Sequence, residues 1–325
     1  MSLTSQIKDK NSPVRQFFSE FENKDGTKNC LDLLQSTVPI RPLSFTPSST
    51  VVSAYIGTTT DYLIRYTASG NALQFENIIA SEALALAVLN AGLNDQEVIR
   101  HYLEDLFEIG KQNLDGRDAS DYKAVYSATA LTVMDNFYRS GRLPQLFLEP
   151  IQKDKKEIIE KSSGATLKEK TTNYLFSEYF ESLGGAQYAQ DISDLIQLFV
   201  KSRNDPNSEF FNAKIVVHNQ ELINSGLVGG ADFDCVFESN NRLVLTDIKT
   251  TAKPLKIEHL RQIIGYALLY DEKQDNFKFT DIGIYHSRSG SFRSLPIDSV
   301  IEMSLIGFKS VSSARKAFIA AVNKA

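Results

Sequence analysis

Two kinds of hydrophobic spacing divide this chain. Over 61–90, Leu63, Ile64, Phe75, Ile78, Ile79, Leu84, Leu86 and Leu89 recur about every three or four positions, which predicts helix. Its Ala-rich end, ASEALALAVLNAG, reads as a buried helix stopped by Gly92. The same period predicts a more charged helix over 95–110, another over 119–140 broken by GRLP, and two more over 168–204. Ahead of them, 1–30 suit a short helix or an arm around VRQFF. The proline- and hydroxyl-rich stretch 36–50 suits extended or loop structure, with Thr46 or Ser48 as the cap of a short helix after it. Residues 145–151 read as a short strand, and the charged run KDKKEIIEKSSG as periphery.

After the break DPNSE the pattern turns to strand. Runs rich in Ile, Val and Leu cover 213–223, 225–239 and 242–250, with Asn240-Asn241 as a hairpin turn. The short links predict an antiparallel meander. KIEHLRQIIGYALLYD is an amphipathic helix, 279–288 a further strand parallel to a neighbour through that helical crossover, and 301–322 a closing helix. The expectation is an α/β protein, helical in its first two thirds and sheet-centred in its last. Read as one domain over 1–325, it carries a helical insertion or subdomain at 93–205 and its main sheet and catalytic core at 206–325. A separate helical domain at about 93–205 is the alternative.

Composition narrows this picture a little. A formal net charge of -5 argues against a protein that coats nucleic acid, but not against a local basic groove. Lys249, Lys253, Lys256, His259 and Arg261 cluster in sequence. Arg288 begins a second basic stretch towards the C-terminus, and both stretches read either as solvated surface or as a phosphate-facing one. Cys30 and Cys235 stand too far apart in sequence to suggest a disulfide framework, and with four histidines a structural zinc site is not expected. No apolar run reaches the roughly 18 residues of a membrane span, and MSLTSQIKDK has no signal core, so the cytoplasm is the simplest address.

The chemistry concentrates in DIKT. On a strand, Asp247 and Lys249 point one way and Ile248 the other. Leu243, Val244 and Leu245 are apolar on both faces, so the strand is central, and a charged pair there is costly unless paired or metal-bound. Asp234 stands thirteen residues earlier, a spacing that lets a hairpin bring the two carboxylates together around one divalent ion. The Ile248 carbonyl is a further ligand candidate, and Lys249 would orient a water and balance charge on a phosphate. Asp232 competes with Asp234 from two residues away. Gln262 and Tyr266, at i and i+4, share a helix face and suit hydrogen bonds into the site or to phosphate. Taken alone, DIKT also fits an ordinary surface hairpin.

Asp234, Asp247-Ile248-Lys249 and Gln262-Ile263-Ile264-Gly265-Tyr266 together resemble the PD-(D/E)XK phosphodiesterase superfamily, and especially its RecB-like exonuclease branch. The resemblance implies a restriction-endonuclease-like central mixed sheet flanked by helices, here with a large N-terminal helical elaboration. It also implies Mg2+ or Mn2+ as cofactor and DNA ends or single strands as substrate. In that branch an upstream helix begins G-T-x-x-H. Here Gly57-Thr58-Thr59-Thr60-Asp61 is similar, with Asp61 in place of the histidine, and Glu76 and then Glu178 are rival acids. Two cysteines cannot build the four-cysteine iron–sulfur cluster of some members. No P-loop is present, so any unwinding would need a helicase or recombination partner. The alternative function is a non-catalytic DNA-binding or scaffold protein that retains the fold.

Overall fold

A computed structural model describes residues 2–47, 49–73, 75, 78–90, 93–112, 114, 116–148, 168–218 and 220–323. Three helices open the chain: α1 (Leu3–Lys8), α2 (Pro13–Phe21) and α3 (Lys24–Leu34). Each begins where a polar side chain accepts from a free backbone N–H: Ser2 from Ser5, Ser12 from Arg15, and Asn23 from Gly26. Pro13 occupies a first-turn position, where the missing N–H costs nothing. Among the described residues, α4 (Thr50–Ala68), α5 (Ile79–Asn90), α6 (Leu93–Gln112), α7 (Tyr122–Ser140), α8 (Lys168–Ser182) and α9 (Gly185–Asn204) come next. Then come β1 (Lys214–His218), β2 (Cys235–Ser239), β3 (Arg242–Lys249), α10 (Ile257–Leu269), β4 (Asp281–His286), β5 (Ser291–Pro296), α11 (Ile297–Ser304) and α12 (Val311–Val322).

Two compact units result. One joins Met1–Pro42 to Leu198–Ala325 and holds the sheet; the other, Leu43–Gln197, is helical. No helix among the described residues is long and apolar enough to cross a membrane.

The sheet has the order β1-β2-β3-β4-β5. It is mixed: β3 and β4 run parallel, and the other neighbours antiparallel. The hairpin between β2 and β3 turns at Asn240 and Asn241, both left-handed (φ 50° and 59°), which matches the twist of the flanking strands. The α10 crossover then returns the chain parallel to β3, as the spacing predicted. On the face towards α10, Val236, Leu245, Ile282 and Ile284 share a core with Leu260, Ile263, Ile264 and Ala267. On the other face the Phe210 ring packs against Phe237, Tyr285 and Phe292, with centroids 4.7–5.3 Å apart. Each such aromatic pair adds about 0.5–1.5 kcal/mol beyond its buried area.

Several expectations change. The run 225–239 is not one strand: Ser225–Val228 forms a 3-10 turn and β2 starts only at Cys235. Gly229 (φ 75°) and Gly230 (φ 113°) adopt conformations that break an extended run. The first strand stops at His218 rather than reaching 223. The closing helix is two, α11 and α12, parted around Gly307 (φ 86°). Finally, β5 had no strong sequence signal, since SFRSLP offers only two large apolar residues; pairing with β4 creates it. The strand expected at 145–151 is helix-like at 145–148, and its remainder, with KDKKEIIEKSSG, lies outside the described residues, as do Ser48 and Gly92.

Candidate active site

The β2–β3 register assembles the first pair. Cys235 lies opposite Thr246, and one step further the same register sets Asp234 opposite Asp247. Asp234 stands just before the strand, not on it. There its Oδ2 accepts the Ile248 N–H at 2.6 Å, taking up an amide where the hairpin ladder ends. Asp247 is buried in the middle strand, with Ile284 of β4 beside it. Lys249, two positions on, projects to the same side. Its ammonium lies 2.6 Å from Asp247 Oδ2, a close ion pair.

The crossover helix supplies the rest. Lys249 Nζ donates to Gln262 Oε1 at 3.1 Å, and Gln262 Nε2 donates to the Tyr266 hydroxyl at 2.7 Å. One turn of α10 therefore carries a relay from Tyr266 through Gln262 to the lysine. The i, i+4 spacing makes this possible.

The electrostatics reflect burial. Desolvation pushes the Asp247 carboxyl above the usual carboxylate range, and Lys249 only partly offsets it. Burial also raises the Tyr266 phenol well above its ordinary value, and the nearby Asp247, Asp234 and Asp232 carboxylates push it further. Tyr266 therefore stays protonated and acts as a hydrogen-bonding group. Asp232 pairs through its backbone with Glu221 at the approach to β2.

The basic residues near the motif divide. Lys253 and Lys256 are exposed in the loop after β3. The His259 ring accepts the Lys256 N–H at 3.2 Å, closing the first turn of α10; burial first, then Lys249, lowers its pKa to about 4. Arg261 is buried and grips Glu22 with two bonds, 2.8 and 2.7 Å long, so its guanidinium is engaged within the fold. Arg288 is buried too, donating to the carbonyls of Thr250 and Pro42. Glu22 carries no sequence signal, because it reaches Arg261 from the end of α2, 239 residues away.

Asp61 lies on α4 in the helical unit, where Arg65 holds it at 2.5 Å. Burial raises its pKa, against the pull of Arg65. Glu178 is exposed and accepts from the Tyr174 hydroxyl. Glu76 lies outside the described residues.

Among the described residues, no three His, Cys, Asp or Glu side chains gather to hold an ion. What the strand end offers is two carboxylates and a backbone carbonyl. That donor set fits a hard divalent cation such as Mg2+, which takes one or two carboxylates and keeps several waters. Such a cation would favour the charged form of Asp247, which burial disfavours. No protein-family model matches the chain, and no match to a curated protein is found.

Proposed function

We propose that the protein is a divalent-metal-dependent nuclease that hydrolyses phosphodiester bonds of DNA, exonuclease-like on ends or single strands, in DNA processing, repair or defence. The observation that carries this reading is the linked set Asp234, Asp247, Lys249, Gln262 and Tyr266 at the end of a central strand. The mixed five-stranded sheet with its helical crossover supports it, as does the resemblance of those residues to the PD-(D/E)XK superfamily. On this reading the sheet is restriction-endonuclease-like.

Asp234 and Asp247 would hold the cation, with the Ile248 carbonyl as a third oxygen. A bound Mg2+ or Mn2+ supplies charge stabilisation at the phosphate and a more acidic water. Lys249 donates to the attacking water or to a phosphate oxygen and stabilises the charge that grows in the transition state. Gln262, itself held by Tyr266, fixes where the ammonium sits. Lys253 and Lys256, exposed after β3, suit contacts to the strand backbone.

Purified full-length chain should cleave linear or single-stranded DNA with Mg2+. Asp247→Ala should reduce cleavage to background with the fold intact by circular dichroism. Lys249→Ala should lose roughly 10²–10³ in rate while calorimetry still registers Mg2+ binding. Equal cleavage by wild type and Asp247→Ala would sink the assignment. A second reading, a non-catalytic DNA-binding or scaffold protein, draws on the close Asp247–Lys249 ion pair, which gives each charge a partner without a metal. Strand binding without any metal-dependent cleavage would decide for it.

A further inference from the structure

A cleft in the sheet unit has chemistry that the Asp247 cluster does not use. It lies at the hairpin between β4 and β5 and has a volume of about 430 Å3, within the roughly 300–1,000 Å3 of ligand sites. Its walls are the hairpin turn, the last turn of α9 and the residues just after it, and the segment Val38–Arg41. The lining combines hydroxyls with cations. Ser289 and Ser291 lie 2.9 Å apart and Ser202 and Ser208 3.0 Å apart, oxygen to oxygen. In the Ser202–Ser208 pair one proton closes the contact and leaves the other to donate.

The charges favour an anion. Arg41, Lys201 and Arg293 outnumber Asp205 and Glu209 by one. Glu209 is held by Arg293 at 2.9 Å, and Asp205 accepts the Asn207 N–H at 2.9 Å, bracing its own turn. Arg41 and Lys201 are exposed, and neither side chain meets an acid among the described residues. Two cations outside any ion pair among the described residues, against the one unpaired carboxylate of Asp205, stand beside paired hydroxyls and offer the recognition chemistry of a phosphate group.

The cleft is built, not incidental. Gly290 (φ 62°) brings the hairpin so close to α9 that a Cβ there would meet Leu198 Cβ and its carbonyl oxygen at 3.2 Å. The turn is also tied to the strand end that carries Lys249. Lys249 pairs in register with His286, the Ser287 N–H donates to the Lys249 carbonyl at 3.0 Å, and Arg288 Nε donates to the Thr250 carbonyl at 3.0 Å.

We infer that this cleft is a phosphate subsite, which holds a backbone phosphate of the substrate strand away from the phosphate being cut. The strand's identity rests on the nuclease reading; the phosphate chemistry does not. The test uses the full chain without divalent metal. Inorganic phosphate is titrated by calorimetry, and a fluorescent 12-nucleotide single strand, about one site's length, by anisotropy. The double variant Arg41→Ala/Lys201→Ala is compared with Lys278→Ala/Lys309→Ala, which removes the same charge from exposed positions elsewhere. Phosphate binding should disappear in the first variant and persist in the second. Strand affinity should fall about tenfold, and the salt slope should flatten by roughly 0.7 for each lost phosphate contact. Wild type that binds no phosphate, or equal losses in both variants, would overturn the subsite. If phosphate binds and is lost as expected but the strand does not bind, the subsite serves free phosphate compounds and the strand assignment is overturned. Failure of cleavage alone, with phosphate and strand binding lost as expected, overturns the nuclease reading and leaves the subsite standing.

Discussion

In the helical unit, Asp61 is answered by Arg65 at 2.5 Å and Asp135 by Arg139 at 2.6 Å, each cation four residues further along the same helix. In the sheet unit, Asp247 is answered by Lys249 from the same strand, but Gln262 and Tyr266 on the crossover helix hold the lysine, and the facing acid comes from the approach to β2. Both arrangements bury carboxylates beside cations, and their construction differs. An i, i+4 pair on a helix forms wherever the helix forms, and the arginine fork is permanently charged, which makes it a good structural partner. The strand pair needs three elements in register, and its cation is the compact ammonium that suits a phosphate or a water. Locally completed charge supports the fold. Charge completed from a distance is set in position, as chemistry requires.

The largest effects expected of this contrast are on stability and metal affinity. Asp61→Ala leaves buried Arg65 without its carboxylate and should cost about 3 kcal/mol with no change in Mg2+ affinity. Asp247→Asn removes a buried charge and should lose the Mg2+ affinity. Because burial raises the Asp247 pKa in the fold, the favourable contribution of its protonated form is complete below the unfolded pKa of about 3.9 and is lost as pH rises through the folded value. The asparagine should therefore raise Tm at pH 7 and change it little near pH 4. Added Mg2+ should raise Tm for wild type and for Asp61→Ala but not for Asp247→Asn. If Asp61→Ala kept its stability and lost Mg2+ affinity, the comparison would break, and Asp61 would join the metal site.

Rates should sharpen the same contrast. Gln262→Ala frees Lys249 from its anchor and should lower cleavage roughly 10–100-fold with KM almost unchanged, while Asp135→Asn in the helical unit should leave kcat alone. A fall in kcat for Asp135→Asn equal to that of Gln262→Ala would contradict the division of labour.

The smallest effect concerns His259. Its ring must be neutral to accept the Lys256 N–H, and its pKa is lowered to about 4. A depressed pKa contributes stability that is present above the unfolded value of about 6.5 and is lost as pH falls through the folded one. Denaturant titrations at pH 7 and pH 4.5 should show wild type losing more stability than His259→Asn. Parallel losses would show that the ring titrates alike in both states.

Much of this protein was legible without coordinates. The helical period placed α6, α7, α8 and α9, and alternation with Asn-Asn placed the β2–β3 hairpin, because such patterns arise from neighbours in sequence. Asp234, Asp247, Lys249, Gln262 and Tyr266 were legible for a related reason: a short hairpin and one crossover helix bring them together within 33 residues. Only the tertiary structure decided the rest. It gave β5 its strand by pairing and parted the closing helix at Gly307. It put Arg261 on Glu22 and Arg288 on loop carbonyls, two cations the basic clusters had offered to phosphate. It also brought Arg41, Lys201 and Gly290 to one cleft from three distant segments. Charge density along a chain counts cations but does not reveal where their partners lie. Those partners come from far along the sequence, and only the packed fold brings them within reach.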